Sequence, residues 1–137
     1  MKKESVSLFL LRFVLFLSFF YHGTGILLDW FDGPGIAGFA GYMHFPVIIA
    51  VLVGIAETAG SLAMISGVLT RIGALCIMLV MLGAIFILHL PHGFNIMANG
   101  YEYALTEFTI ALSIFIIGPG EYTLTGLITK NAPFILQ

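Results

Sequence analysis

The chain has 137 residues, of which 60% are hydrophobic and 9% charged, with a formal net charge of −2 and a mean hydropathy of +1.09. Soluble domains carry about 25% charged residues, so this chain lacks the exterior that water demands, and its composition selects a polytopic membrane protein with the lipid bilayer as its first partner. The balance of charge excludes a basic footprint for nucleic acid, and the single cysteine, Cys76, excludes an intrachain disulfide, a CxxC pair and two-thiol oxidase chemistry.

Four apolar spans follow in order, at about 8–30, 47–69, 72–90 and 103–118. Each is close to the ~20 residues that a helix needs to cross the hydrocarbon layer. Runs such as "LCIMLVMLGAIFIL" lack the alternation of a membrane strand. The expected fold is therefore all-α: an integral membrane four-helix bundle forming a single domain over 1–137. The first span is too long for a signal peptide, and no A-x-A site follows it, so it reads as a retained helix.

Between the first two spans, Asp32-Gly33-Pro34-Gly35 is a turn signal. Ile36 to Phe45 then predicts a short helix at the membrane interface, with Trp30, Tyr42 and His44 at headgroup depth. Gly67 and Thr70-Arg71 leave almost no loop between spans two and three. "HLPHGFNIMANGYE" is a Gly-, Asn- and Pro-rich loop, and Gly118-Pro119-Gly120 stops the last span ahead of a short polar tail. Lys2, Lys3, Arg12, Arg71 and Lys130 all fall on one side of such a bundle, which places both termini in the cytoplasm of a cell with the protein in its inner membrane.

The informative residues are the few that should not be in oil. From a rise of ~1.5 Å per residue, Glu57 lies roughly 18 Å from the cytoplasmic ends, Glu107 about 16 Å and His22 about 21 Å. His89 and Glu102 lie nearer the outside. Gly54, Gly60 and Ser61 share the helix face of Glu57, and small residues let helices approach in a bilayer, so Glu57 points inward. Glu107 shares its face with Ala104 and Ala111, whereas Glu102 is turned about 140° away from it. A charge at a helix centre costs about 2.5–3.5 kcal/mol on insertion scales. Glu57 is tolerated if it is protonated or paired with His22.

Each of these groups has a structural reading beside the functional one. The buried acids could lock helix packing rather than form a site. Arg71 reads as an interfacial anchor, Arg12 as a side chain snorkelling to the same surface, and Cys76 as inert. His89 and His92 have metal-ligand spacing, but Pro91 ends the helix between them. No Glu-x-x-His repeat of a di-metal centre is present, and the sequence points to no metal site. Ala50-Gly54-Thr58 is a small-residue face that would admit a homodimer.

The segments "HGTGILLDWFDGPG", "GIAETAGSLAMISGVLTRIGAL", "HLPHGFNIMANGYEY" and "IIGPGEYTL" occur in this order. In that pattern the chain resembles the DoxX family of small membrane proteins, from about Arg12 to Leu127. The resemblance implies a four-helix membrane protein tied to quinone-linked or thiol-stress redox complexes, such as thiosulfate:quinone oxidoreductase. Arg12, His22, Gly23, Glu57, Gly60, Thr70, Arg71, His89, Gly93, Phe94, Glu102 and Gly118 to Gly120 match recurrent family positions. Ile26, Glu121 and Thr123 to Thr125 depart from them.

The expected function is the membrane subunit of a quinone-linked oxidoreductase. Glu57, His22 and Glu107 would form a proton-exchange cluster. His89, Glu102 and Arg12 would contact the substrate. The resemblance implies quinone as a co-substrate, and no haem, flavin or iron–sulfur motif is present. Electrons would then come from the substrate itself or from soluble redox partners on the cytoplasmic side. The alternatives are a non-catalytic scaffold that recruits such redox proteins, and a small proton-coupled transporter.

Overall fold

Apolar runs of this length bury their own backbone hydrogen bonds only as helices, and helices are what the computed structural model contains. It describes residues 3–128 and 133, with no strand among them. Helix α1 spans Lys3–Leu28, α2 Gly35–Met43, α3 Val47–Ser66, α4 Thr70–Gly83, α5 Glu102–Ile117 and α6 Leu124–Ile128. Beyond Gly83 the helical path continues through a π-helical stretch, Ala84–His89, and a 3-10 turn, Leu90–His92. Lys2 and Lys130, used above for orientation, lie outside the described residues.

Three of these helical segments are long and apolar enough to cross a membrane: Lys3–Leu28, Val47–Ser66 and Thr70–His92. Helix α5 is shorter, at 16 residues, or about 24 Å at 1.5 Å per residue. The first helix starts five residues before the expected span, and the expected short helix in the first connection is present as α2. The polar tail differs from expectation, because it contains α6. The Thr123 hydroxyl accepts from the Gly126 N–H at 2.9 Å in the manner of a helix N-cap. The Thr125 hydroxyl ties the segment back to the Gly67 carbonyl at 3.1 Å.

Helix α1 packs along α3, α3 along α4 and α4 along α5, and α1 also meets α5, which closes the bundle. Glycine sets how closely these helices approach. A Cβ on Gly23 would stand 2.6 Å from the Thr58 amide nitrogen, and one on Gly73 would stand 2.5 Å from the Ala63 Cβ. Both contacts require bare backbone, as expected where van der Waals packing holds helices together in lipid. The same packing consumes Ala50 and Gly54, which are buried against α1, where Leu27 and Ile26 cover Gly54. The proposed dimer face at Ala50-Gly54-Thr58 is thus an intrachain seam.

Leu15, Phe19, Met64, Ile77, Ala111 and Ile114 form the core. The outer surface is at least as apolar, with Leu79, Phe86 and Ile116 each more than 60% exposed. Such a continuous greasy exterior exceeds what water tolerates and suits acyl chains. This is a multi-pass membrane protein.

Candidate functional site

Where α1, α3, α4 and α5 diverge toward the α2 side, they enclose a cavity of about 850 Å³. Most of its wall is apolar: Phe19, Leu52, Val53, Leu79, Ile87 and Leu88 are typical. Its polar groups are Ser18, His22, Glu57, Cys76, His89 and Tyr103. Glu57 comes from the middle of α3 and is 6% exposed, and its Oε2 is buried with no hydrogen-bond partner. Its inward aim follows from Gly54, Gly60 and Ser61, all buried on the same stripe of α3. His22, six residues before the end of α1, lines the same cavity but remains exposed.

A second cavity, of about 240 Å³, lies on the other side of these two residues. Tyr21, Gly25, Ile26, Trp30, Asp32 and Gly33 contribute to it, and His22, Glu57 and Phe39 line both cavities. Glu57 therefore stands in the partition between a large apolar chamber and a small one that opens beside the first connection.

A family model for DoxX matches residues 7–90, which is 84 of the 137 residues. The chain belongs to the DoxX family. It is also similar to an uncharacterized protein of Haemophilus influenzae, at 31% identity over 137 aligned positions that cover 95% of this chain and 88% of the relative. No solved structure matches it. The family match contains Arg12, His22, Glu57 and His89, whereas Glu102 and Glu107 lie beyond it.

The structure brings some of the expected site residues of this DoxX protein together and separates others. Glu57 and His22 share both cavities, but among the described residues no hydrogen bond or ion pair joins them, so the anticipated pairing is not made. Glu107 is 4% exposed on the inward stripe with Ala104, Ala111 and Ile114. It does not line either cavity, and its Oε2 is a second buried oxygen without a partner. Beside it, the hydroxyls of Ser18 and Tyr103 are hydrogen-bonded to each other, and Tyr103 lies within electrostatic reach of both Glu107 and Glu57. The acids thus occupy neighbouring positions with a hydroxyl pair between α1 and α5.

His89 does line the large cavity, and its Nδ1 donates to the Asn99 carbonyl at 2.8 Å. That bond fixes the ring and leaves Nε2 as the available nitrogen. Glu102 is placed differently from expectation. Its Oε2 accepts the Ile96 amide at 3.1 Å, so it organises the third connection instead of lining the chamber. The first turn of α5 holds it there, turned away from Glu107.

Arg12 departs furthest from its expected role. It does not snorkel, being fully buried. Its Nε donates to the Met64 carbonyl at 2.7 Å, and its Nη1 to the carbonyls of Pro119 at 2.9 Å and Tyr122 at 2.8 Å. The guanidinium also lies over the Phe9 ring, 5.9 Å from its centroid. It closes the C-terminal end of α3 against the chain after α5, far from both cavities: ten residues of α1 separate it from His22, about 15 Å. Arg71 does the same for α5, donating to the carbonyls of Phe115, Ile116 and Ile117. A helix end leaves carbonyls without intrahelical partners, and these two arginines satisfy them, Arg12 inside the bundle and Arg71 half-buried at its end.

Sequence reasoning missed Ser18, Tyr103, Cys76 and Asp32 as cavity residues. Tyr103 and Ser18 carried a usable signal: each lies four residues, one helical turn, from an ionisable group (Glu107 and His22). Cys76 carried none, since nothing local distinguishes a thiol that packs from one that faces a chamber.

Proposed function

We propose that this protein is a four-span inner-membrane subunit of a quinone-linked oxidoreductase, with both termini in the cytoplasm. One observation carries the reading: an apolar chamber of about 850 Å³ with Glu57, His22, His89 and Tyr103 set into an otherwise greasy wall. The volume lies within the range of small-molecule sites, which are mostly apolar with a few polar groups that fix orientation. A quinone has that chemistry: a flat apolar ring, a hydrophobic tail and two carbonyl oxygens. Converting a quinone to a quinol takes up two electrons and two protons.

The chain's own residues divide this work. His22 and Glu57 hold and give up protons at the oxygen nearer α1 and α3. His89, whose Nδ1–H is held by the Asn99 carbonyl, donates to the other oxygen from Nε2–H when the ring is doubly protonated. The apolar wall excludes bulk water and receives the tail. Electrons come from a soluble redox protein or from a reduced sulfur compound. Arg12 and Arg71 support the orientation, because they gather on the end opposite Asp29 and Asp32, as positive-inside placement requires.

The test is saturable binding of a short-chain quinone analogue to the detergent-purified protein, read by quenching of its one tryptophan, Trp30, and by native mass spectrometry. The expected result is one bound quinone per chain, lost in Ala56→Phe, which fills the chamber, and reduction activity lost in Glu57→Gln at unchanged expression. Binding that does not saturate, or that is equal in Ala56→Phe, overturns the reading.

A further inference from the structure

A proton-exchanging group in oil needs a route to water, and the chamber that would hold a quinone is a poor one because its wall is almost wholly apolar. The smaller cavity differs in composition. It holds Asp32, Tyr21, His22 and Trp30, together with backbone at Gly25 and Gly33. Gly25 and Gly33 approach so closely that a Cβ on Gly33 would stand 2.3 Å from the Gly25 Cα. This seam holds the first connection against the end of α1 and gives the cavity a fixed floor. At about 240 Å³ it has room for several waters, each of which occupies about 30 Å³ in the liquid.

Three observations coincide at one side chain. Glu57 lines both cavities, is 94% buried (6% exposed), and has an Oε2 with no hydrogen-bond partner. Oε2 itself is sealed from water, but the carboxyl has no hydrogen-bond partner among the described residues, and the side chain keeps 6% exposure and lines a polar cavity, which is where an ordered water would meet it. The charged and titratable groups around Glu57 are Tyr21 and His22 from α1, Tyr103 and Glu107 from α5, Cys76 from α4 and His89 beyond it across the large chamber, and Asp32 from the first connection. Of the carboxyl groups among these, Asp32 is the exposed one, and it lines the smaller cavity.

We propose that the 240 Å³ cavity is a water-filled vestibule through which the Glu57 carboxyl exchanges its proton with the compartment that Asp32 faces. Glu57 is then the gate between an aqueous side and an oily side. A proton taken from or given to the large chamber leaves or arrives past His22 and Asp32, and never crosses the arginine-sealed end. The proposal builds on Glu57 as the proton-exchange residue of the proposed function, but not on the identity of what occupies the large chamber.

The experiment reads hydrogen–deuterium exchange at the Glu57 carboxyl by infrared spectroscopy of the purified protein, with no quinone added. The band is assigned by its loss in Glu57→Gln. In a Cys76→Ser background, Asp32→Cys is modified with a bulky charged maleimide to plug the vestibule mouth, and Ser7→Cys, at the arginine end, is modified in the same way. The expected result is exchange slowed by about tenfold or more with the plug at position 32 and unchanged with the label at position 7. Equal exchange with and without the plug at position 32, or slowing only with the label at position 7, overturns the route. Quinone binding in the separate Trp30 assay is unaffected by either outcome, so failure of the vestibule and failure of the quinone reading are distinguishable.

Discussion

The two ends of this bundle handle charge in opposite ways. At one end, Arg12 is fully buried and Arg71 half-buried, and their guanidinium groups donate to backbone carbonyls left open where α3 and α5 finish. Toward the other end, Glu57 and Glu107 are as deeply buried, yet each keeps an oxygen with no hydrogen-bond partner. A buried polar group without a partner costs about 1–3 kcal/mol, so the second arrangement weakens the fold where the first strengthens it. Ionisable groups inside a membrane are costly and are the first place to look for function. The arginine end is a fastening, and the carboxylate end, held at some expense of stability, is where the proposed function puts its proton exchange.

Four substitutions break or sharpen this contrast, and the lone cysteine, Cys76, supplies the readout through its reaction with a thiol-sensitive fluorophore as the bundle opens on heating. Arg12→Ala has the largest effect. It strips partners from the Met64, Pro119 and Tyr122 carbonyls, each a hydrogen bond to a charged group worth about 1.5–3 kcal/mol, so stability falls by at least about 3 kcal/mol. Unfolding at the unchanged temperature would remove the fastening from the argument. Gly23→Val comes next, because its Cβ would stand 2.6 Å from the Thr58 nitrogen. Overpacking of this kind costs about 1–3 kcal/mol, and the parted helices draw His22 away from Glu57, so proton exchange at Glu57 changes as well.

Glu57→Leu acts in the opposite direction. Removing an unpartnered buried carboxyl raises stability by about 1–2 kcal/mol, while quinone reduction is abolished. A variant that is destabilised instead would show that Glu57 fastens helices, and would move it to the other side of the comparison. His89→Ala is the mildest. It loses the bond to the Asn99 carbonyl, which is exposed enough to regain solvent, so the cost stays under about 1 kcal/mol. Quinone affinity should fall more than the melting temperature does.

Much of the site was readable residue by residue. The small-residue stripe around Glu57 and the alanines flanking Glu107 placed both acids inward, and both are buried. The stripe at Ala50-Gly54-Thr58 obeyed the same rule but was assigned to another chain, because sequence does not say which helix will fill a smooth face. Glu102 was legible only in part. Its rotation away from Glu107 was correct, but its partner, the Ile96 amide, depends on the fold of a loop with no periodicity.

The sequence alone determined that this chain is helical and lives in lipid, because hydropathy and helical length are local quantities fixed by each run of about 20 residues. It also determined where the chain turns, since Gly67 adopts a φ of +71° that other residues resist. Only the tertiary structure decided where the charges go. Arg12 reaches carbonyls 52 to 110 positions away in the chain, and Glu57 meets two cavities whose walls come from four or more segments. Such destinations depend on which surfaces close around a side chain, and no local pattern encodes that.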